Sequence, residues 1–341
     1  ALIRLGYAVS LVSADGSAQQ AQSLASDITV LGPPFVSSVE DVLRRQADSF
    51  DVVYLHRQEI ATAYLPLVRR YQRRAHVLYG VADLHHLRLS RQAIHEDRPE
   101  LYARALRVRA AEYSAVRQAD AVLTHSSVEA TLLRRDLSGV NVHQVPWDVP
   151  TRGRVPGFYH RHGIAFIGNF AHAPNIDAAI WLVETILPLV WETAPHISCV
   201  IAGAEMPDRI TRLAVGPNVE VIGAVPDLAD VLDRVRLTVA PLRYGAGVKG
   251  KVLDSLAAGV PCIMTPIAAE GLDLPEALSG LIADTGPDIA ARIVQLHETR
   301  RLHAAAARYG KAYIQDHYTE SCVDERLRSA VTPAARRQSA S

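Results

Sequence analysis

Short apolar runs without internal alternation, such as CVIAG at 199–203 and LTVAP at 237–241, recur along the whole chain between stretches of helical period. A strand that is apolar on both sides has to be covered on both sides, and a helix between successive strands is the connection that does this. The pattern predicts parallel sheets with helices on both faces. Strands are expected at 9–13, 51–55, 76–81, 121–125 and 142–145, then at 164–168, 198–203, 219–223, 237–241, 262–265 and 280–283. Helices are expected at 39–47, 60–74, 91–117 and 128–135, then at 175–190, 228–235, 251–258, 289–297 and 305–318.

At 341 residues the chain is long enough for two domains. The periodic apolar residues give way to PTRGRVPGF at 150–158, so the expected division is 1–152, 153–330 and a polar tail at 331–341, with the last helix crossing back. Two doubly wound, Rossmann-like domains facing across a cleft would bind ligands at the carboxyl ends of their strands. The opening ALIRLG has the character of a helix end and YAVSLVSA that of the following strand. A doubly wound domain starts with a strand, so its first strand is expected to be missing from this segment.

Lysine plus arginine and aspartate plus glutamate both number 36, for a net charge of zero, which argues against a nucleic-acid binder. Cys199, Cys262 and Cys322 are far apart and form no CxxC pair, as in a cytoplasmic protein with reduced thiols. No uninterrupted apolar run has the roughly 18 residues of a membrane span. Arg69, Arg70, Arg73 and Arg74 cluster on one expected helix; they read as a solvated face, or as a peripheral contact with the inner membrane surface.

The stretch VAPLRYGAGVKGKVLDSLAAGVPCIMTP at 239–266 reads as strand, glycine-rich loop, helix, turn and strand. Gly245, Gly247 and Gly250 let the backbone approach a ligand, the helix amino end favours an anion, and Lys249 and Lys251 add full charges. That is a diphosphate cradle, or else an ordinary loop with solvated lysines. Asp254 is one helical turn beyond Lys251 and can accept ribose hydroxyls. A second loop, FIGNFAHAPN at 166–175, turns at Gly168, places Pro174 in the first helical turn and points another helix amino end at the same crevice.

The ordered motifs GNFAHAPNIDAAIW, VEVIGAVPDL, APLRYGAGVKGKVLDSLAAGVPC and TPIAAEGL strongly resemble the carboxyl-terminal donor domain of family 4 glycosyltransferases, over 158–318. VPWDV at 145–149 is similar to that family's crossover strand, with Trp147 in place of an Asn-Gly pair. The resemblance implies a GT-B fold and retaining transfer of a hexose from a nucleoside-diphosphate sugar to a saccharide or lipid-linked acceptor. The nucleotide-sugar would be a substrate, with no other cofactor and no metal.

Residue by residue, the resemblance implies that Gly168, Asn169, His172, Asn175, Val225, Arg243, Gly245, Gly247, Val248, Lys249, Lys251, Asp254 and Glu270 line the donor site. Lys249 or Lys251 would stabilise the leaving diphosphate, with Arg243 assisting. The family's paired acids are eight positions apart; Asp254 matches the second, but the first falls on Ala246. Amides of Gly247 and Val248, or Glu270, would take over the donor sugar's hydroxyls.

In the first half, VADLHHLR at 81–88 follows a strand, and Asp83, His85 and His86 are the catalytic candidates. A helix cap with core histidines is the bland alternative, and the spacing of His85, His86 and His95 matches no standard metal site. Ser126 or Ser127 reads as a helix cap, and Glu112 and Glu129 as surface charges. Rival functions are a non-catalytic nucleotide-sugar-binding module of a larger enzyme, or another GT-B enzyme such as an epimerase or phosphorylase.

Overall fold

A computed structural model describes residues 1–14, 27–153, 155–214 and 216–332. Its contacts divide the chain into two compact units. One comprises residues 1–86, 102–147 and 320 onward; the other comprises 87–101 and 148–319.

The first unit holds two parallel sheets. Strands β1 (Val9–Val12) and β2 (Ile28–Leu31) form a pair, while β3 (Val52–His56), β4 (His76–Gly80), β5 (Ala121–Thr124) and β6 (Val142–Gln144) form a sheet in that order. Among the described residues, β1 pairs only with β2, and β3 only with β4. Helices α1 (Val39–Arg45), α2 (Gln58–Tyr71), α3 (His85–His95), α4 (Pro99–Gln118) and α5 (Ser127–Asp136) connect the strands. β4 and β5 are buried along their whole length, as doubly covered strands must be. The outer strands are less covered, with Leu11, Val30 and Tyr54 exposed.

The second unit has a five-stranded parallel sheet built from β7 (Ile164–Ile167), β8 (Cys199–Ala202), β9 (Val219–Ile222), β10 (Leu237–Ala240) and β11 (Cys262–Met264), in the order β11-β10-β7-β8-β9. Its helices are α6 (Ala173–Trp181), α7 (Leu187–Thr193), α8 (Asp208–Thr211), α9 (Ala229–Leu232), α10 (Gly250–Ala257), α11 (Pro266–Ala269), α12 (Gly286–Glu298) and α13 (Arg300–His317). The chain then returns to the first unit through α14 (Glu320–Val331). There Val323, Leu327 and Val331 pack with Leu78, Ala121 and Leu123. Each such fully buried side chain contributes about 1.5–3 kcal/mol, which is what holds a terminal helix in place.

Several expected elements differ from those observed. The helix expected over 91–117 is two helices: Asp97 takes a positive φ of 48°, and Pro99 opens α4, because proline cannot continue a helix but suits its first position. The strand expected at 280–283 is a 3-10 turn, Glu276–Leu281, followed by a single bridge from Ile282 to Met264. β2 and α14 were not anticipated. The polar tail expected from 331 begins within α14, and residues 333–341 lie outside the described residues.

α6 and α7 are joined by a π turn, Leu182–Ile186, into one helix over Ala173–Thr193. Pro188 lacks the N–H that an α-helix would direct at Glu184, and the wider turn lies against that gap. This helix is long and apolar enough to cross a membrane, but half of its apolar window is buried in the fold. Leu182, Ile186, Leu187 and Val190 are wholly covered, as in a core helix. Cys199 and Cys262 are free buried thiols and Cys322 is a half-buried one.

Candidate functional site

In the second unit the strand order reverses between β7 and β10: the chain proceeds from β7 toward β8 and β9, and from β10 toward β11 on the other side. Ligands of doubly wound sheets bind outside the carboxyl ends of the strands at such a switch point. The two loops singled out in the sequence, 168–172 and 241–249, follow these two strands.

A cavity of about 330 Å³ opens beside the first of them, lined by Gly168, Asn169, Gly203, Val225, Lys251 and Asp254, with small residues such as Ala202 and Ala204 between; the second loop contributes none of its lining. Gly203 lies at φ +155, and a Cβ there would meet the Gly168 carbonyl at 1.7 Å. The cavity wall therefore depends on two backbones in direct contact. Asn175 accepts from Lys251 Nζ at 2.6 Å and donates to the Asn169 carbonyl at 2.7 Å, tying the first loop to α10. The Lys251 ammonium also lies 4.4 Å from the centroid of the Phe166 ring.

Burial lowers the Lys251 pKa to about 7; the Cys262 thiol opposes this and the Lys249 charge adds to it. Asp254 lies in the cavity with no hydrogen bond or ion pair to its carboxylate among the described residues, and burial raises its pKa. An acceptor in a cavity that no donor reaches among the described residues is matched by hydroxyl groups of a ligand.

Lys249, the N-cap residue of α10, curls onto its own loop and donates to the carbonyls of Ala246 at 3.0 Å and Gly247 at 2.5 Å. A Cβ at Gly245 would be 3.3 Å from the Lys249 stem, so glycine leaves space for this curl. These are not solvated lysines. His172 is the exposed N-cap residue of α6, and Pro174 is buried in its first turn.

Arg243 forms an ion pair with Asp177 and stacks over Trp181. His95 also approaches Asp177, at 3.4 Å. The Glu270 carboxylate accepts two bonds from Arg91, a residue the sequence reading did not single out. The position of Ala246 is buried, at 8% exposure, and brings no carboxylate.

Asp83, His85 and His86 lie in the first unit. Ala82 takes a positive φ of 63° just before them, a strained geometry for a residue with a side chain and one that clusters at functional loops. Two fully buried carboxylates hold the turn into α3. Glu112 accepts from the His85 and His86 amides and from His86 Nδ1 at 2.5 Å. Glu129 accepts from the Leu84 amide and from Thr124 Oγ1. The surface-charge reading of Glu112 and Glu129 is thus corrected: both cap the amino end of α3 from inside, where unpaired N–H groups and the helix dipole favour anions. Asp83 and His85 pair with each other at 3.1 Å, and the buried His86 meets Tyr113 edge-on. Ser126 caps α5 by accepting from the Glu129 amide. Trp147, the departure from the crossover pattern, meets His125 edge-on.

His196, His297 and Glu298 group closely enough to hold a metal. His297 Nε2 accepts from the Gly163 amide at 3.0 Å, so Nδ1 keeps the ring proton and directs it at Glu298. That tautomer presents no lone pair to a cation.

Residues 161–299 match the family described as Glycosyl transferases group 1. A Klebsiella pneumoniae protein, an uncharacterized 44.6 kDa protein in the cps region, is 25% identical over 167 residues, covering 47% of this chain and 43% of its own length. Solved structures share the architecture at low identity. Sucrose-phosphate synthase from Thermosynechococcus elongatus superposes with a TM-score of 0.73 at 14% identity, covering 96% of this chain and 89% of its own. Anabaena HepE, in complex with UDP and glucose, gives 0.66 at 13%, covering 94% and 98%. TarM gives 0.69 at 13%, covering 86% of this chain and 57% of TarM. The chain thus has the two-domain GT-B fold, and its residues 161–299 are similar to the group 1 glycosyl transferases.

Proposed function

We propose that this chain is a retaining glycosyltransferase of the family 4 kind, moving a hexose from a nucleoside-diphosphate sugar to a saccharide or lipid-linked acceptor on the cytoplasmic side of the cell. The observation that carries this is the switch-point cavity, where Lys251 and Asp254, whose carboxylate has no partner among the described residues, lie together with Gly168 and Gly203. Asp254 suits a ribose and Lys251 a diphosphate. Small residues at 202–204 and Val225 leave a base to be read by backbone groups. The group 1 match over 161–299 and relatives solved with UDP support the same reading.

In this mechanism the leaving diphosphate is stabilised by Lys251 and by the amino ends of α6 and α10, fixed charges that need no reorganisation as the bond breaks. Lys249 serves the loop instead, since its ammonium is bound to loop carbonyls. Asp83, His85 and His86 are the proposed acceptor-side groups, held by Glu112 and Glu129. The buried Ala246, where the family pattern has an acid, favours the second reading: a module that binds the donor without turning it over.

Thermal-shift titration with UDP-, GDP- and ADP-sugars tests the donor site. Stabilisation by one nucleotide series, lost in Lys251→Ala, is expected; no shift with any series, in folded protein, would remove the assignment. Release of the nucleoside diphosphate in the presence of mixed acceptors separates the enzyme from the binding module.

A further inference from the structure

The glycine-rich loop is organised by cations bound to consecutive carbonyls. Arg91 Nη1 donates to the Gly245 carbonyl at 2.7 Å, and the guanidinium also grips Glu270 at 2.8 and 2.6 Å. Lys249 Nζ takes the next two carbonyls, those of Ala246 and Gly247. In a planar trans peptide the C=O and the following N–H point in opposite directions. With the carbonyls of 245, 246 and 247 drawn onto these cations, the N–H groups of Ala246, Gly247 and Val248 are turned the other way.

Gly247 sits at φ +67, the left-handed step that lets successive amides converge into a concave row of donors suited to an anion. None of the three amides makes a backbone hydrogen bond among the described residues, although Ala246 and Val248 are each only 8% exposed. Buried amides without partners are costly unless a ligand supplies the acceptor.

We propose that Arg91 is a positioning residue for this row of amides: by fixing Gly245 and Glu270 together, it holds the loop in the form that receives the donor's β-phosphate, the one that carries the sugar. This rests on the donor-site reading above. Two further links hold the same stretch of chain to the same region, Glu96 to the Tyr244 hydroxyl at 2.8 Å and His95 to Asp177. Arg91 therefore acts from an anchored segment rather than as a loose side chain. Glu270, both of whose oxygens are occupied, serves as its counterion.

Isothermal titration of the whole chain with UDP, GDP and ADP, each against its monophosphate, tests this. Wild type is expected to prefer one diphosphate over its monophosphate. Arg91→Ala is expected to lose about tenfold of that preference, the usual scale of one charge-assisted hydrogen bond, while monophosphate affinity stays within about threefold. Arg91→Lys should recover part of the preference, since it can still reach one carbonyl. A purely structural role would weaken mono- and diphosphate alike; should Arg91→Ala unfold, Arg91→Gln carries the same comparison. An unchanged preference in the variants would overturn the role of Arg91 alone. Absence of any diphosphate preference in wild type would remove the donor reading, and this proposal with it.

Discussion

Lys251 is held near a pKa of about 7 against an ordinary value of 10.5. Between those values the unfolded chain carries the proton and the folded site does not, so this residue favours folding more as pH rises through that window and least below about 7. A bound diphosphate has the opposite preference, because it attracts the protonated form. Nucleoside diphosphate affinity should be full below pH 7 and fall above it by up to about tenfold per unit. Titrations across that range should show this slope, and Lys251→Met should flatten it. Glu112 gives a second test. Glu112→Gln removes the charge facing three donors, and hydrogen bonds to a charged group are worth about 1.5–3 kcal/mol each. Exchange of the His85 and His86 amides should quicken by at least tenfold relative to those of β5, as read by hydrogen-exchange mass spectrometry. At this scale the sequence disclosed Lys251 and Asp254, which share a helix turn, but not the partners of Glu112 or Arg91. Those contacts join residues 26 to 27 positions apart in one case and 154 and 179 apart in the other, and no local pattern encodes them.

Among the elements, the contact between the ends of β7 and β8 is the least forgiving. Gly203→Ala would drive a methyl group into the Gly168 carbonyl, and overpacking of this kind costs about 1–3 kcal/mol even where side chains give way. Here the neighbour is backbone. Loss of nucleotide-induced stabilisation, together with a lower melting temperature, is the expected outcome in a thermal scan. A normal response would mean that the cavity wall does not need this contact. Apolar strands such as β7, β8 and β10 were legible because both of their faces are covered, and the loops after them because glycine and proline mark turns. The break before α4 was missed although Pro99 signals it, since an apolar period runs on through 91–117. Gly280–Ala283 was misread for the reverse reason: a short apolar run suits a buried 3-10 turn as well as a strand. β2 has four residues, too few for a pattern to stand out.

For the molecule as a whole, the first unit is closed by a helix from the other end of the chain, α14, with Arg4 bound to Asp324 and Glu320. Truncation after Thr319 should expose the faces of β4 and β5 that pack on α14 and make the first unit, but not the second, sensitive to protease. Equal resistance of both units would show that α14 is dispensable. Among the described residues β1 pairs only with β2 and β3 only with β4; an unpaired strand edge is a template for strand pairing, so dilute and concentrated samples should differ in association by light scattering. The interleaving of the units has a separate consequence, for heredity. The chain passes between them at 86/87, 101/102, 147/148 and 319/320. A recombination that exchanged everything before residue 148 for the front of a relative would also exchange Arg91, His95 and Glu96, which hold the glycine-rich loop. Hybrids made at that joint should inherit a new front half and a loosened glycine-rich loop together, unless the short insert 87–101 travels with the half it serves.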